Sequence, residues 1–189
     1  MNYADIRPID VANGPGVRTS IFVSGCTHHC KECFNPETWD FAYGQPFGGE
    51  QIQEILDCLS KPYIRGLSLL GGEPFEPQNQ RAVLELVRAV RARFPEKDIW
   101  CYSGYLFESL RDSQVGEYSQ ELLKELDVLV DGPFVLEKKD LSLRFRGSSN
   151  QRLIDVPASL RAGAAVLWDG AEYNSEREPR RYSRGSRFI

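Results

Sequence analysis

The chain has 189 residues, 41% of them hydrophobic and 26% charged, with a net charge of -4. That length suits one domain with a core large enough to fold without disulfides, and the acidic balance offers no basic field for nucleic acid. No apolar run is long enough to span a membrane and the start MNYADIRPID has no signal-peptide pattern, so the expectation is a cytoplasmic protein with neither nucleic-acid nor membrane partners.

In chain order, residues 18–24 (RTSIFVS) read as a buried strand, short and rich in branched residues. A loop with three cysteines follows directly and is expected to be exposed. Residues 50–59 have apolar side chains at 52, 55, 56 and 59, the spacing of a helix. Residues 66–70 (GLSLL) form a second strand, stopped by Gly71-Gly72. Residues 78–94 give the clearest helix, with Val83, Leu86, Val87, Val90 and Phe94 on one face. Residues 98–103 form a third strand, ended by Gly104; a helix over about 119–126 leads to a fourth, 127–131, stopped by Gly132-Pro133. Residues 151–156 and 164–168 look like short strands. From Ala171 the chain is polar, and residues 179–189 carry four arginines and no acid. The expected organisation is one domain over 1–170 and a flexible, Arg-rich tail over 171–189.

Strands alternating with helices imply right-handed crossovers and a mostly parallel α/β sheet. Ligands of such sheets gather at the carboxyl ends of the strands. The unusual stretches all fall there: the cysteine loop, then GGEP, SGY and DGPF. That coincidence points to a single site.

Cys26, Cys30 and Cys33 have the spacing C-x3-C-x2-C. With five cysteines in all, an odd number, this crowding argues for a metal or redox site over a disulfide framework. Thiolates suit zinc, copper(I) or iron–sulfur clusters. A structural zinc site closes with four protein ligands, commonly in two separated pairs, and no second pair is present. Cys58 falls on a helix and Cys101 inside a strand, where a cysteine fills core. His28 or His29 could supply a fourth ligand, but both lie between the first two cysteines, where a short loop would have to fold back on itself, so they read as loop residues, one of them hydrogen-bonding near the metal. Three cysteines can also hold a [4Fe–4S] cube and leave one iron without a protein ligand, open to something else.

The triad followed by Phe34 resembles the radical S-adenosylmethionine enzymes, in which the open iron is chelated by the cofactor's amino and carboxylate groups and one electron cleaves the sulfonium. Gly71-Gly72-Glu73-Pro74 resembles their second motif, which binds the methionine part; glycines let backbone approach a ligand closely and Glu73 can accept from an ammonium group. Taken together, NGPGVRTSIFVSGCTHHCKECFNPETW, GLSLLGGEPFEPQN, DIWCYSGY, VLVDGPF and RGSSNQ resemble the activating proteins of anaerobic (class III) ribonucleoside-triphosphate reductases over roughly residues 1–155. The resemblance departs in two places: GGEP has Glu where close relatives have Asp, and the chain continues almost forty residues past RGSSNQ.

The resemblance implies a partial, open (β/α) barrel, since a full eightfold barrel takes about 250 residues. It implies a [4Fe–4S] cluster on Cys26, Cys30 and Cys33, and S-adenosylmethionine near Glu32, Cys33, Phe34, Gly71, Gly72, Glu73, Ser103 and Asp131. It implies a glycyl radical made on the catalytic subunit of the reductase, with a low-potential donor such as flavodoxin, and no side-chain acid, base or nucleophile in a catalytic role. Several residues keep two readings. Asp131 caps a turn, or orients the cofactor or a cation. Gly14-Pro15-Gly16 shapes the entry to the first strand, or touches the partner's glycine loop. Residues 146–150 face water, or pair with a substrate. Two rival functions remain at this level: a small-molecule radical enzyme such as a 7-carboxy-7-deazaguanine synthase, and a zinc-binding module without catalysis.

Overall fold

The computed structural model describes residues 1–170; residues 171–189, with the expected Arg-rich tail, lie outside the described residues. The chain begins with β1 (Asn2–Asp10), β2 (Val17–Val23), β3 (Gln45–Pro46), α1 (Gly49–Leu59) and β4 (Ile64–Gly71). It continues through α2 (Pro77–Arg93), β5 (Asp98–Tyr102), α3 (Phe107–Arg111), α4 (Ser119–Lys124), β6 (Val128–Asp131), β7 (Arg152–Asp155) and α5 (Val156–Ala162). Among the described residues no helix is long and apolar enough to cross a membrane.

These strands form one mixed sheet in the order β3-β1-β2-β4-β5-β6-β7, which does not close on itself. The centre, β2-β4-β5-β6, is parallel and runs in chain order. The expected mostly parallel sheet is corrected at both edges, where β1, β3 and β7 are antiparallel. Six residues join β1 to β2, too few for the crossover that a parallel pair requires. Residues 164–168, expected as a strand, make only an isolated bridge from Leu167 to Ile154.

Parallel strands added in one direction by right-handed crossovers put every crossover helix on the same face. Alternation along the strands agrees: Ile21, Val23, Leu67, Leu69, Ile99, Cys101 and Leu129 share one core with Ile55, Leu59, Val83, Leu86, Val87 and Leu122 of the helices. The opposite parity carries Trp100, Val128 and Val130, with Tyr102 and Leu153 packed against them. Among the described residues no α-helix packs into that second-face cluster.

The floor of this second face is polar and tied by Arg18, which is 0% exposed. Arg18 donates from Nε to Ser68 Oγ at 2.7 Å, from Nη1 to Asp98 Oδ1 at 2.5 Å and from Nη2 to the Leu67 carbonyl at 2.7 Å. Gly14-Pro15-Gly16 packs over it as a shaped turn; a Cβ on Gly14 would lie 2.9 Å from the Arg18 side chain. Removing one partner of a buried ion pair leaves the other charge under-compensated. Arg18→Met is therefore expected to cost about 3–5 kcal/mol, read as a lower denaturant midpoint; an unchanged midpoint would remove Arg18 from the list of struts.

Candidate active site

The four parallel strands end side by side, and the loops that leave them meet. Ser24 and Gly25 follow β2, and the Gly25 N–H donates to the Thr38 carbonyl at 2.8 Å, while Cys26 N–H donates to Trp39 O at 3.2 Å. The cysteine loop is thus anchored at its root. Two non-glycine residues in it take left-handed backbone, His29 (φ 46°) and Glu32 (φ 58°), and Cys33 N–H closes a turn onto the Cys30 carbonyl at 3.1 Å. The expected exposure of the loop holds only in part: Cys26 is buried, and Cys30 and Cys33 are half-buried.

The GGE turn after β4 lies against that root. Gly72 N–H donates to Val23 O at 2.7 Å and Glu73 N–H to Gly25 O at 2.9 Å. Gly71 has φ 101°, and a Cβ on Gly72 would stand 2.6 Å from the Gly25 carbonyl oxygen. The two glycines therefore let backbone approach the cysteine loop.

Glu73 is 1% exposed. Its Oε1 accepts from Phe75 N–H at 2.9 Å, and its Oε2 from Gly104 N–H at 2.7 Å and lies 3.0 Å from His28 Nε2. One buried carboxylate thereby ties the loops after β2, β4 and β5. The hydrogen bond to Glu73 raises the pKa of His28, and burial opposes it. Ser103, buried, follows β5 and accepts from Tyr105 N–H at 3.1 Å.

A cavity of about 580 Å³ opens beside these loops, of a size that takes a small cofactor. Cys26, Cys30, Cys33, Phe34, Gly71, Gly72, Glu73 and Ser103 all line it. Asn13, Phe22, Leu70 and Tyr102 of the second face line its wall, and Phe134, Leu141 and Gln151 its far side.

Two expected site residues stand apart. Glu32 is exposed and does not line the cavity; it supplies a turn of the loop. Asp131 is 0% exposed and does not line it either. Its carboxylate accepts from Phe107 N–H at 2.8 Å, at the start of α3, and pairs with Arg152, which also pairs with Glu108. These contacts are not those of a cap on its own Gly132-Pro133 turn; they hold the first N–H of α3 and tie β6 to β7 through Arg152.

Residues 146–150 face inward more than expected. Gln151 Oε1 accepts from Gly147 N–H at 2.9 Å and Ser148 N–H at 3.1 Å, and its Nε2 donates to Gly132 O at 3.1 Å. Asn150 Nδ2 donates to Pro133 O at 2.8 Å. The RGSSNQ stretch thus holds the DGPF loop in place. Sequence reasoning missed this pin, since its two ends lie 19 positions apart and no local pattern joins them.

The cysteine surroundings fit a thiolate-bound cluster. Burial pushes the Cys26 thiol up to about 12; the His28 N–H pulls it down, Glu73 raises it and the His29 N–H again pulls it down. Burial likewise raises Cys30, with the Phe134 N–H opposing. Asn35 N–H donates to Cys33 Sγ at 3.5 Å. Backbone donors therefore attend each sulfur, while a cationic metal is what would deprotonate the buried thiol. Among the described residues, no three Cys, His, Asp or Glu side chains are grouped closely enough to hold a single metal ion. Cys58 and Cys101 are buried elsewhere, as expected of core filling.

A sequence model described as "4Fe-4S single cluster domain" matches residues 12–154, which include all four strand-end loops. A protein of Vibrio cholerae serotype O1 named anaerobic ribonucleoside-triphosphate reductase-activating protein is 48% identical over 153 residues, covering 80% of this chain and 96% of that protein. The chain belongs to this family. The relative of the same name from Enterobacteria phage T4 is 46% identical over 155 residues, 81% of this chain and 93% of its own length. That from Escherichia coli K12 is 44% identical over 153 residues, 80% and 96% of the two chains. Membership in the family of activating proteins agrees with the resemblance read over roughly 1–155, and the matched region of the family model ends before the Arg-rich tail.

Proposed function

We propose that the chain is the activating enzyme of an anaerobic ribonucleoside-triphosphate reductase: a radical S-adenosylmethionine oxidoreductase that generates a glycyl radical on the reductase's catalytic subunit. The observation that carries this reading is the meeting of the cysteine triad and the GGE turn in one cavity at the ends of parallel strands. The names of its relatives give the partner.

In this reading Cys26, Cys30 and Cys33 hold a [4Fe–4S] cluster, and Gly71, Gly72, Glu73, Ser103 and Phe34 receive S-adenosylmethionine. Together these groups supply low-potential electron transfer and hydrogen abstraction from a glycine α-carbon. The chain's own residues bind, orient and exclude water. The one-directional strand order, with helices on one face and no closure, supports a partial, open (β/α) barrel. An open side suits a macromolecular substrate, and the rim agrees, with Phe34 62% and Leu141 85% exposed. A low-potential donor such as flavodoxin, and a cytoplasmic setting, complete the proposal.

The test is anaerobic mixing of reconstituted protein, a reductant, S-adenosylmethionine and the reductase. The expected result is an electron paramagnetic resonance signal from a glycyl radical on the reductase. Protein with full iron and sulfide that cleaves the cofactor yet gives no such signal would overturn the assignment of the partner. Zinc without sulfide would point to the binding module instead.

A further inference from the structure

His28 is the one residue of the cysteine loop whose side chain reaches the GGE carboxylate: its Nε2 lies 3.0 Å from Glu73 Oε2. Among the described residues no lysine or arginine pairs with that carboxylate; the ion pair recorded for it is to His28. The imidazole is itself fixed. Its ring packs against Tyr105, with centroids 4.4 Å apart. It also fills the space over Gly104, where a Cβ would come within 2.5 Å of the ring. Gly104 has no left-handed backbone to explain it, so the room it leaves is for this ring. His28 lines the cavity together with Glu73.

A carboxylate offers about four acceptor positions. Phe75, Gly104 and His28 take three, which sets its orientation and leaves one on Oε1 for a ligand. We propose that His28 is a positioning residue for S-adenosylmethionine: its ring N–H fixes Glu73 against the cysteine loop, so that the cofactor's ammonium group meets an acceptor already held at a set place beside the cluster. The inference rests on the cofactor reading above. It goes beyond that reading by placing the link between the two motifs in one side chain, and it needs only a ring N–H, which the neutral tautomer also carries. A ligand that must itself order the Glu73 side chain loses about two- to tenfold in binding, so that is the loss expected when the N–H is removed.

The experiment compares wild type, His28→Leu and His28→Gln, each reconstituted without oxygen. Iron and sulfide are counted first. The dissociation constant for S-adenosylmethionine is then taken from the change it makes in the reduced cluster's electron paramagnetic resonance spectrum. The expected result is full iron and sulfide in all three, about two- to tenfold weaker binding in His28→Leu, and partial recovery in His28→Gln, whose amide keeps a donor. Wild-type affinity in His28→Leu would overturn the proposal, as would equal losses in both variants, which would mean ring packing alone. Loss of iron in His28→Leu would also overturn it, assigning the residue to cluster assembly. If wild type itself bound no S-adenosylmethionine, the cofactor reading would fall and this proposal with it, an outcome distinct from the others.

Discussion

Cys26→Ala, Cys30→Ala and Cys33→Ala are each expected to bring S-adenosylmethionine cleavage down to the background of cluster-free protein. Each removes one of three thiols that line the same cavity, and the loop offers no fourth cysteine to take its place. Iron and sulfide per chain should fall with the activity. Cys58→Ala and Cys101→Ser provide the contrast. Both thiols are buried away from the cavity, in α1 and β5, so the cost falls on stability: lost packing in Cys58→Ala, and a hydroxyl placed in the core in Cys101→Ser, about 1–3 kcal/mol. Cleavage should stay measurable in both. Iron analysis and 5'-deoxyadenosine release on the five proteins decide the matter, and a Cys58→Ala protein as empty of iron as the triad variants would refute the ligand set.

The proposed ligands were readable in the sequence because their signals are local. Cysteine spacing, a glycine pair after an apolar run and a buried strand of branched residues all fall within a few positions. The central strands were legible for the same reason: covered by helices on one face and, on the other, carrying an apolar cluster in which Phe145 and Trp168 pack on Trp100, they read as short apolar runs. β1 was not. Its face is half-exposed, Asp5 and Arg7 interrupt the pattern, and Pro8 falls where its register with β2 shifts between Arg7 and Asp10. α5 escaped as well, although Asp155 accepts from Ala158 N–H and Pro157 stands in the first turn, a capping signal present in the sequence.

Partners far apart in the chain were the harder class. Asp131 as a site residue was an even reading from DVLVDGP alone, since Arg152, the charge that occupies it, lies 21 positions away. The contact between His28 and Glu73 spans 45 positions. No periodicity carries such information; only the topology, which sets β2, β4 and β5 side by side, brings those loops together.

Gly72 gives the second large effect. The sequence suggests that its missing side chain makes room for a ligand. In the fold, the atoms nearest a Cβ there belong to the protein: the Gly25 carbonyl oxygen at 2.6 Å and the Thr38 carbonyl oxygen at 2.9 Å. Both are backbone, and Gly25 is hydrogen-bonded to Glu73 N–H on one side and to Thr38 on the other. Neither oxygen can swing away as a flexible side chain would. Gly72→Val therefore forces the root of the cysteine loop off the GGE turn, an overpacking that costs about 1–3 kcal/mol. Gly49→Ala is the control, since nothing stands within 4 Å of a Cβ at that position on α1; it should leave stability unchanged or slightly raised. The expected outcome for Gly72→Val is a lowered unfolding midpoint and incomplete iron uptake on anaerobic reconstitution, with cofactor binding lost as a consequence. Its iron content, its midpoint and its affinity for S-adenosylmethionine should be measured on the same preparation. Full iron and a normal midpoint with weakened binding alone would restore the ligand-room reading and show that the cysteine loop can yield where its hydrogen bonds say it cannot.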